Sequence, residues 1–176
     1  MAQKIMSWVS GKDVITENSS LVQELNSEQK YGILLDDGRI QLSIMEAVYL
    51  CEKKKLEVLN SKERELSCTE LKKIALKKEK CFNERYAVYS DLRSKGYIVK
   101  TGLKFGADFR VYDKGARVDD EHSRWVCYVV REHNSHTWHE FAGKNRIAHS
   151  TKKRLLIAVV DDDQSVSYWE SRWIRP

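Results

Sequence analysis

Short runs in which apolar and polar residues alternate mark strands early in the chain: Met6 to Val9, Asp13 to Thr16, Gly32 to Leu35 and Arg39 to Gln41. Turn signals at Ser10-Gly11 and Asp37-Gly38 separate them and predict a compact antiparallel sheet. Two helices follow. Ser43 with Glu46 three residues on forms a capping box ahead of the apolar face Met45, Val48 and Tyr49, and Ser67 with Glu70 repeats the device ahead of Leu71, Ile74 and Ala75. A further helical pattern through Tyr86, Tyr89 and Leu92 stops at Gly96, a residue suited to the position after a helix end.

Beyond Gly96 the period changes to that of strands: Tyr97 to Thr101, Ala107 to Tyr112, Trp125 to Arg131, Leu155 to Val160 and Val166 to Trp173. The continuous apolar run LLIAVV predicts a central strand covered on both faces, and Gly143 to Lys152 predicts a helix packed on that sheet. The fold class is therefore α+β. A boundary near Glu79 to Glu84 gives a small N-terminal mixed α/β domain over residues 1–82 and a C-terminal domain over 83–176, with a mixed β-sheet flanked by helices.

At 176 residues, with 41% hydrophobic and 32% charged content, the chain can bury a core without staples. No apolar run approaches the roughly 20 residues of a membrane span and the start lacks a signal-peptide core, so a cytoplasmic location is expected. Cys51, Cys68, Cys81 and Cys127 form no Cys-x-x-Cys pair and are expected to be reduced core thiols. Residues 1–80 hold 14 Lys and Arg against 13 Asp and Glu, whereas 81–176 hold 17 against 13, so the excess of +5 lies mostly in the second half. That tilt favours a polyanionic partner there. The lysine run KKIALKKEK in the first half is read as a solvated helix face rather than an RNA-facing stripe.

Three residues supply the roles that splitting a phosphodiester by its neighbouring 2′-hydroxyl demands: Tyr112, His122 ten residues on, and Lys153. One proton must leave, one must arrive, and charge on phosphorus must be held, with no cofactor and no metal. Tyrosine is a poor base in water, its free pKa being about 10, so Tyr112 requires nearby positive charge, for which Lys104, Arg110 and Lys153 are candidates. Singly, each has a plainer account: a tyrosine ending a strand is often core-edge, His122 follows the acidic Asp119, Asp120 and Glu121, and Lys153 sits in a solvated basic cluster. His133, His136 and His139 have a spacing that suits a metal only on a helix. Asn134-Ser135 and Trp138 point instead to a turn entering a strand, where such side chains diverge. Gly102, Gly106 and Gly115 bracket Tyr112 and could let backbone amides approach phosphate.

Gly102-x-Lys104-x-Gly106-x-Asp108-Phe109-x-x-Tyr112, Glu121-His122-Ser123 and Ala148-His149-Ser150-x-x-Lys153 together resemble the C-terminal nuclease domain of the archaeal tRNA-splicing endonuclease family. The resemblance implies Tyr112 as general base, His122 as the acid protonating the departing 5′-oxygen and Lys153 as stabiliser of the pentacoordinate transition state. The choice of Lys153 over Lys152 rests on that family's spacing. It implies precursor tRNA as partner, cut at bulge-helix-bulge junctions to leave 2′,3′-cyclic phosphate and 5′-hydroxyl ends. Arg146 matches an arginine that stacks on a flipped bulge base, and Trp173 is the candidate for the opposite side of that base, with Lys104 a further RNA contact. Asp161, Asp162 and Asp163 match an acidic loop used in assembly. Two cuts per substrate imply a homotetramer, or a heterotetramer with a second subunit. The competing reading is a structural or RNA-binding subunit that does not cut.

Overall fold

The computed structural model describes residues 4–118 and 122–174. The chain divides into two compact units, residues 1–82 and 83–176.

In the first unit, β1 (Ile5–Ser10), β2 (Asp13–Thr16), β3 (Ile33–Leu34), β4 (Ile40–Ser43), β5 (Leu56–Leu59) and β6 (Glu65–Leu66) form one sheet in the order β3-β4-β2-β1-β5-β6. The expected antiparallel sheet is in fact mixed, because β1 and β5 run parallel, with Ser7 opposite Val58. A parallel pair needs a crossover. Here α2 (Ile44–Glu52) lies in that connection, with α1 (Ser20–Ser27) earlier and α3 (Cys68–Lys78) after β6. Val14, Ile40, Leu42, Ala47, Val48, Val58, Leu71 and Ala75 are wholly buried between sheet and helices. The buried hydroxyls of Ser7 and Thr16 are satisfied: Ser7 Oγ donates to the Glu57 carbonyl, and Thr16 Oγ1 donates to that of Glu17 while accepting from Ile40 N.

The cysteine expectation is corrected here. Cys51 near the end of α2 and Cys68 at the start of α3 form a disulfide across 17 residues of separation. A scan for close cysteine pairs does not see this bridge, because two helices packed on one sheet create the proximity. Cys81 is exposed, and burial pushes the thiol of Cys127 far above its ordinary range.

The second unit begins with α4 (Phe82–Ser94) and carries a five-stranded sheet in the order β11-β10-β9-β8-β7. Its strands are β7 (Ile98–Thr101), β8 (Phe109–Tyr112), β9 (Trp125–Arg131), β10 (Arg154–Val160) and β11 (Val166–Ser171). β9 and β10 are parallel and α5 (Trp138–Ser150) crosses between them, while the other pairs are antiparallel. One face packs Val126, Tyr128 and Leu155 against Phe141 and Ala148 of α5. The opposite face receives α4, through Tyr89 against Phe109 at 6.1 Å and the Tyr168 hydroxyl donating to Asp91 at 2.7 Å.

Two further expectations shift. α5 begins at Trp138 rather than Gly143, because Thr137 and Glu140 form a third capping box; the histidine-rich run therefore enters a helix, not a strand. β10 is an inner strand but not sealed on both sides, since Ile157 and Val159 are only half-buried.

Candidate active site

Topology brings the three candidate segments to one end of the second sheet. β8 runs antiparallel to β9, and β9 parallel to β10, so the end of β8 and the starts of β9 and β10 share an edge. Tyr112 ends β8, His122 lies three residues before β9, and Lys153 immediately precedes β10. The register carries this further: Val111 opposes Trp125, which opposes Arg154.

Tyr112 is 3% exposed, with its ring packed against Ile98, Ala116 and Val118. Arg110, two residues earlier on the same strand face, places its guanidinium 5.9 Å from that ring while its Nε donates to the Thr101 carbonyl at 2.9 Å. The same guanidinium acts on Lys153, whose ammonium is pushed below the ordinary lysine range first by burial and then by the positive charge of Arg110. Arg110 thus links the phenol and the ammonium.

Lys153 is also fixed locally. α5 closes with Lys152 at φ +56, a left-handed turn that returns the Lys153 amide to the Ala148 carbonyl at 2.8 Å. Lys152 is left exposed, whereas Lys153 turns inward, its Nζ donating to the Thr151 carbonyl at 3.0 Å and lying 4.9 Å from the Phe105 ring centroid. This difference between neighbouring lysines has no signature in residue type. His122 is exposed and Ser123 beside it is buried, its hydroxyl without a hydrogen-bond partner among the described residues. Asp119, Asp120 and Glu121 lie outside the described residues.

Phe105 belongs to a single 3-10 turn, Leu103–Phe105, that carries Lys104 fully outward. The glycines have a conformational purpose here. A Cβ on Gly102 would stand 2.7 Å from the Ala107 carbonyl oxygen, and Gly106 adopts φ +61 to close the turn. Their amides donate inward, to the carbonyls of Asp108 and Leu103, so the expectation that they approach phosphate is corrected.

Of the base-stacking candidates, Arg146 is exposed on α5. Trp173 is 50% exposed, not a core residue, and meets His149 edge-on with ring centroids 4.3 Å apart. His149 is one helical turn beyond Arg146, on the same face of α5. Two of the other histidines meet carboxylates: His133 is held between Asp162 at 3.1 Å and Glu132 at 3.4 Å, and its pKa is raised chiefly by the Asp162 hydrogen bond. His136 faces Glu140 at 3.8 Å. At the far side of β10, Glu170 accepts from Trp125 Nε1 at 2.7 Å and pairs with Arg154 and Arg172. Burial opposes its charge, but these donors together hold it down at about 2.

A mixed sheet with Tyr112 at the end of β8, His122 just before β9 and Lys153 just before β10 gives this two-unit α+β protein one candidate acid–base site. Comparison with known proteins is specific. The tRNA intron endonuclease N-terminal domain matches residues 7–72, and the catalytic C-terminal domain of the same family matches 82–168. Similar proteins include the tRNA-splicing endonucleases of Pyrococcus furiosus, 40% identical over 99% of each chain, and of Methanothermobacter thermautotrophicus, 38% identical over 94% of this chain and 96% of its own. That of Nanoarchaeum equitans is 44% identical over 82% of this chain and 94% of its own. The chain belongs to the tRNA-splicing endonuclease family, and its second unit carries that family's catalytic domain.

Proposed function

We propose that this chain is a metal-independent endonuclease that excises introns from precursor tRNA at bulge-helix-bulge junctions. The observation that supports it is the arrival of Tyr112, His122 and Lys153 at one end of one sheet, with the Arg110 guanidinium 5.9 Å from the phenol ring and its charge acting on the ammonium. Tyr112 takes the proton of the ribose 2′-hydroxyl, whose oxygen forms a bond to phosphorus. His122 delivers a proton to the 5′-oxygen as its bond to phosphorus breaks, and Lys153 holds the charge that builds on the non-bridging oxygens. The products are a 2′,3′-cyclic phosphate and a 5′-hydroxyl. Because Tyr112 is buried in a cluster with Ile98 and Ala116, the reading requires its phenol to become accessible when RNA docks.

Arg146 and Trp173 flank an extruded base, and exposed Lys104 meets the backbone. Two cuts per substrate call for several copies, and the surface supports this. β11 is an open edge strand beside a groove of about 560 Å³ lined by Trp138, Phe141, Ile157, Val159 and Trp169.

The test is to incubate the pure chain with a bulge-helix-bulge RNA in excess chelator and to identify the ends. Undiminished cleavage with cyclic-phosphate ends is expected; loss under chelation rejects the metal-free reaction. His122→Ala is expected to slow the single-turnover rate about 10²–10⁴-fold, and full activity in that variant removes His122 as the acid.

A further inference from the structure

We infer that Phe105 is a positioning residue for the Lys153 ammonium, an inference that rests on the transition-state role proposed for Lys153. An ammonium on a four-carbon stem is mobile, and a stabilising charge acts fully only when it is already in place as the reaction proceeds. In this chain three neighbours define where it sits. The Thr151 carbonyl accepts one N–H at 3.0 Å, the face of Phe105 lies 4.9 Å away, and the like charge of Arg110 repels it. Attraction to the electron-rich ring face and repulsion from the guanidinium act together and limit the orientations left for the remaining N–H groups.

Phe105 is itself held. It packs on the cluster of Ala107, Val126, Tyr128, Ala148 and Leu155, its amide donates to the Gly102 carbonyl at 2.8 Å, and its carbonyl accepts from the Tyr128 hydroxyl at 3.3 Å. Any apolar side chain of similar size would fill that space. Only an aromatic one offers a face with negative quadrupole to the ammonium.

The experiment separates packing from positioning. Phe105→Leu keeps an apolar side chain and loses the ring, whereas Phe105→Tyr keeps both. On a bulge-helix-bulge RNA, Phe105→Leu is expected to lower kcat about tenfold with KM unchanged, Phe105→Tyr to match the unaltered chain, and Phe105→Leu to add nothing in a Lys153→Ala background. In solution NMR, the Lys153 ε-methylene, assigned by its loss in Lys153→Ala, is expected upfield in the unaltered chain and in Phe105→Tyr, and at the ordinary lysine position in Phe105→Leu. An ordinary position in the unaltered chain overturns the inference, as does a Phe105→Leu loss of equal size with and without Lys153. If the unaltered chain cuts no RNA the proposed function falls, while the resonance position still decides this inference.

Discussion

In the proposed reaction Lys153 sits where stability and chemistry pull in opposite directions. Its folded pKa is depressed by burial and by Arg110, while in the unfolded chain it returns to about 10.4. Between those values the unfolded state binds more protons, so stability rises with pH through that window, and at neutral pH the protonated side chain is a net cost to the fold. A Lys153→Met variant keeps the stem and removes the charge. It is expected to melt about 1–2 °C higher at pH 7 while losing about a hundredfold in single-turnover cleavage. A lower melting temperature with cleavage retained would mean that the ammonium is structural. The chemistry-bearing residue types at 112, 122 and 153 are readable as letters, but the burial of Tyr112, the inward turn of Lys153 and the ring of Phe105 beneath it are not. Tyr112 is covered by its packing with Ile98 and Ala116, whereas the other two follow from the left-handed Lys152 and from a 3-10 turn that brings position 105 under position 153, a proximity across 48 residues that no local pattern encodes.

Among elements, legibility follows the strength of local signals. The boxes at Ser43 and Ser67 are plain in the sequence and are formed as read, each with its glutamate reaching back to the cap amide. The same device at Thr137 is masked by the polar HNSH run before it, and α1 buries only Val22 and Leu25, too few positions to set a period. β9 coincides with its apolar run because WVCYVV is apolar without interruption up to Arg131. Partners distant in sequence are harder, as Cys51 and Cys68 show. Their bridge closes a loop containing β5 and β6, so cutting it frees that segment in the unfolded chain. With 17 residues of separation, loop-closure entropy assigns the bridge about 3 kcal/mol. Reductant is therefore expected to lower the melting temperature of the first unit. Cys51→Ser should melt at the reduced value with or without reductant, and coincident melts of oxidised and reduced protein would show that the bridge contributes nothing.

For the whole molecule the decisive quantity is the number of copies. Each chain presents one candidate set of base, acid and cation, and a junction with two bulges requires two sets at a fixed separation. The second unit exposes Trp138 at 83% and Trp169 at 57% beside β11, the terminal strand of its sheet, a surface that suits the proposed assembly. The turn at Asp161 to Asp163 is well defined, with Ser165 N donating to Asp161 Oδ1 at 2.8 Å and Gln164 at φ +62 taking the left-handed place where glycine would be natural. An acidic turn of this kind suits the proposed electrostatic contact with a basic surface on another copy. Native mass measurement is expected to give about four times the 20.6 kDa chain. Replacing Asp161, Asp162 and Asp163 together by Asn should shift that mass downward and abolish paired cleavage, while the isolated fold melts as before. Appearance of the larger species only when a second kind of chain is added would establish the mixed assembly instead. A single chain that releases the intron at both junctions would overturn assembly altogether.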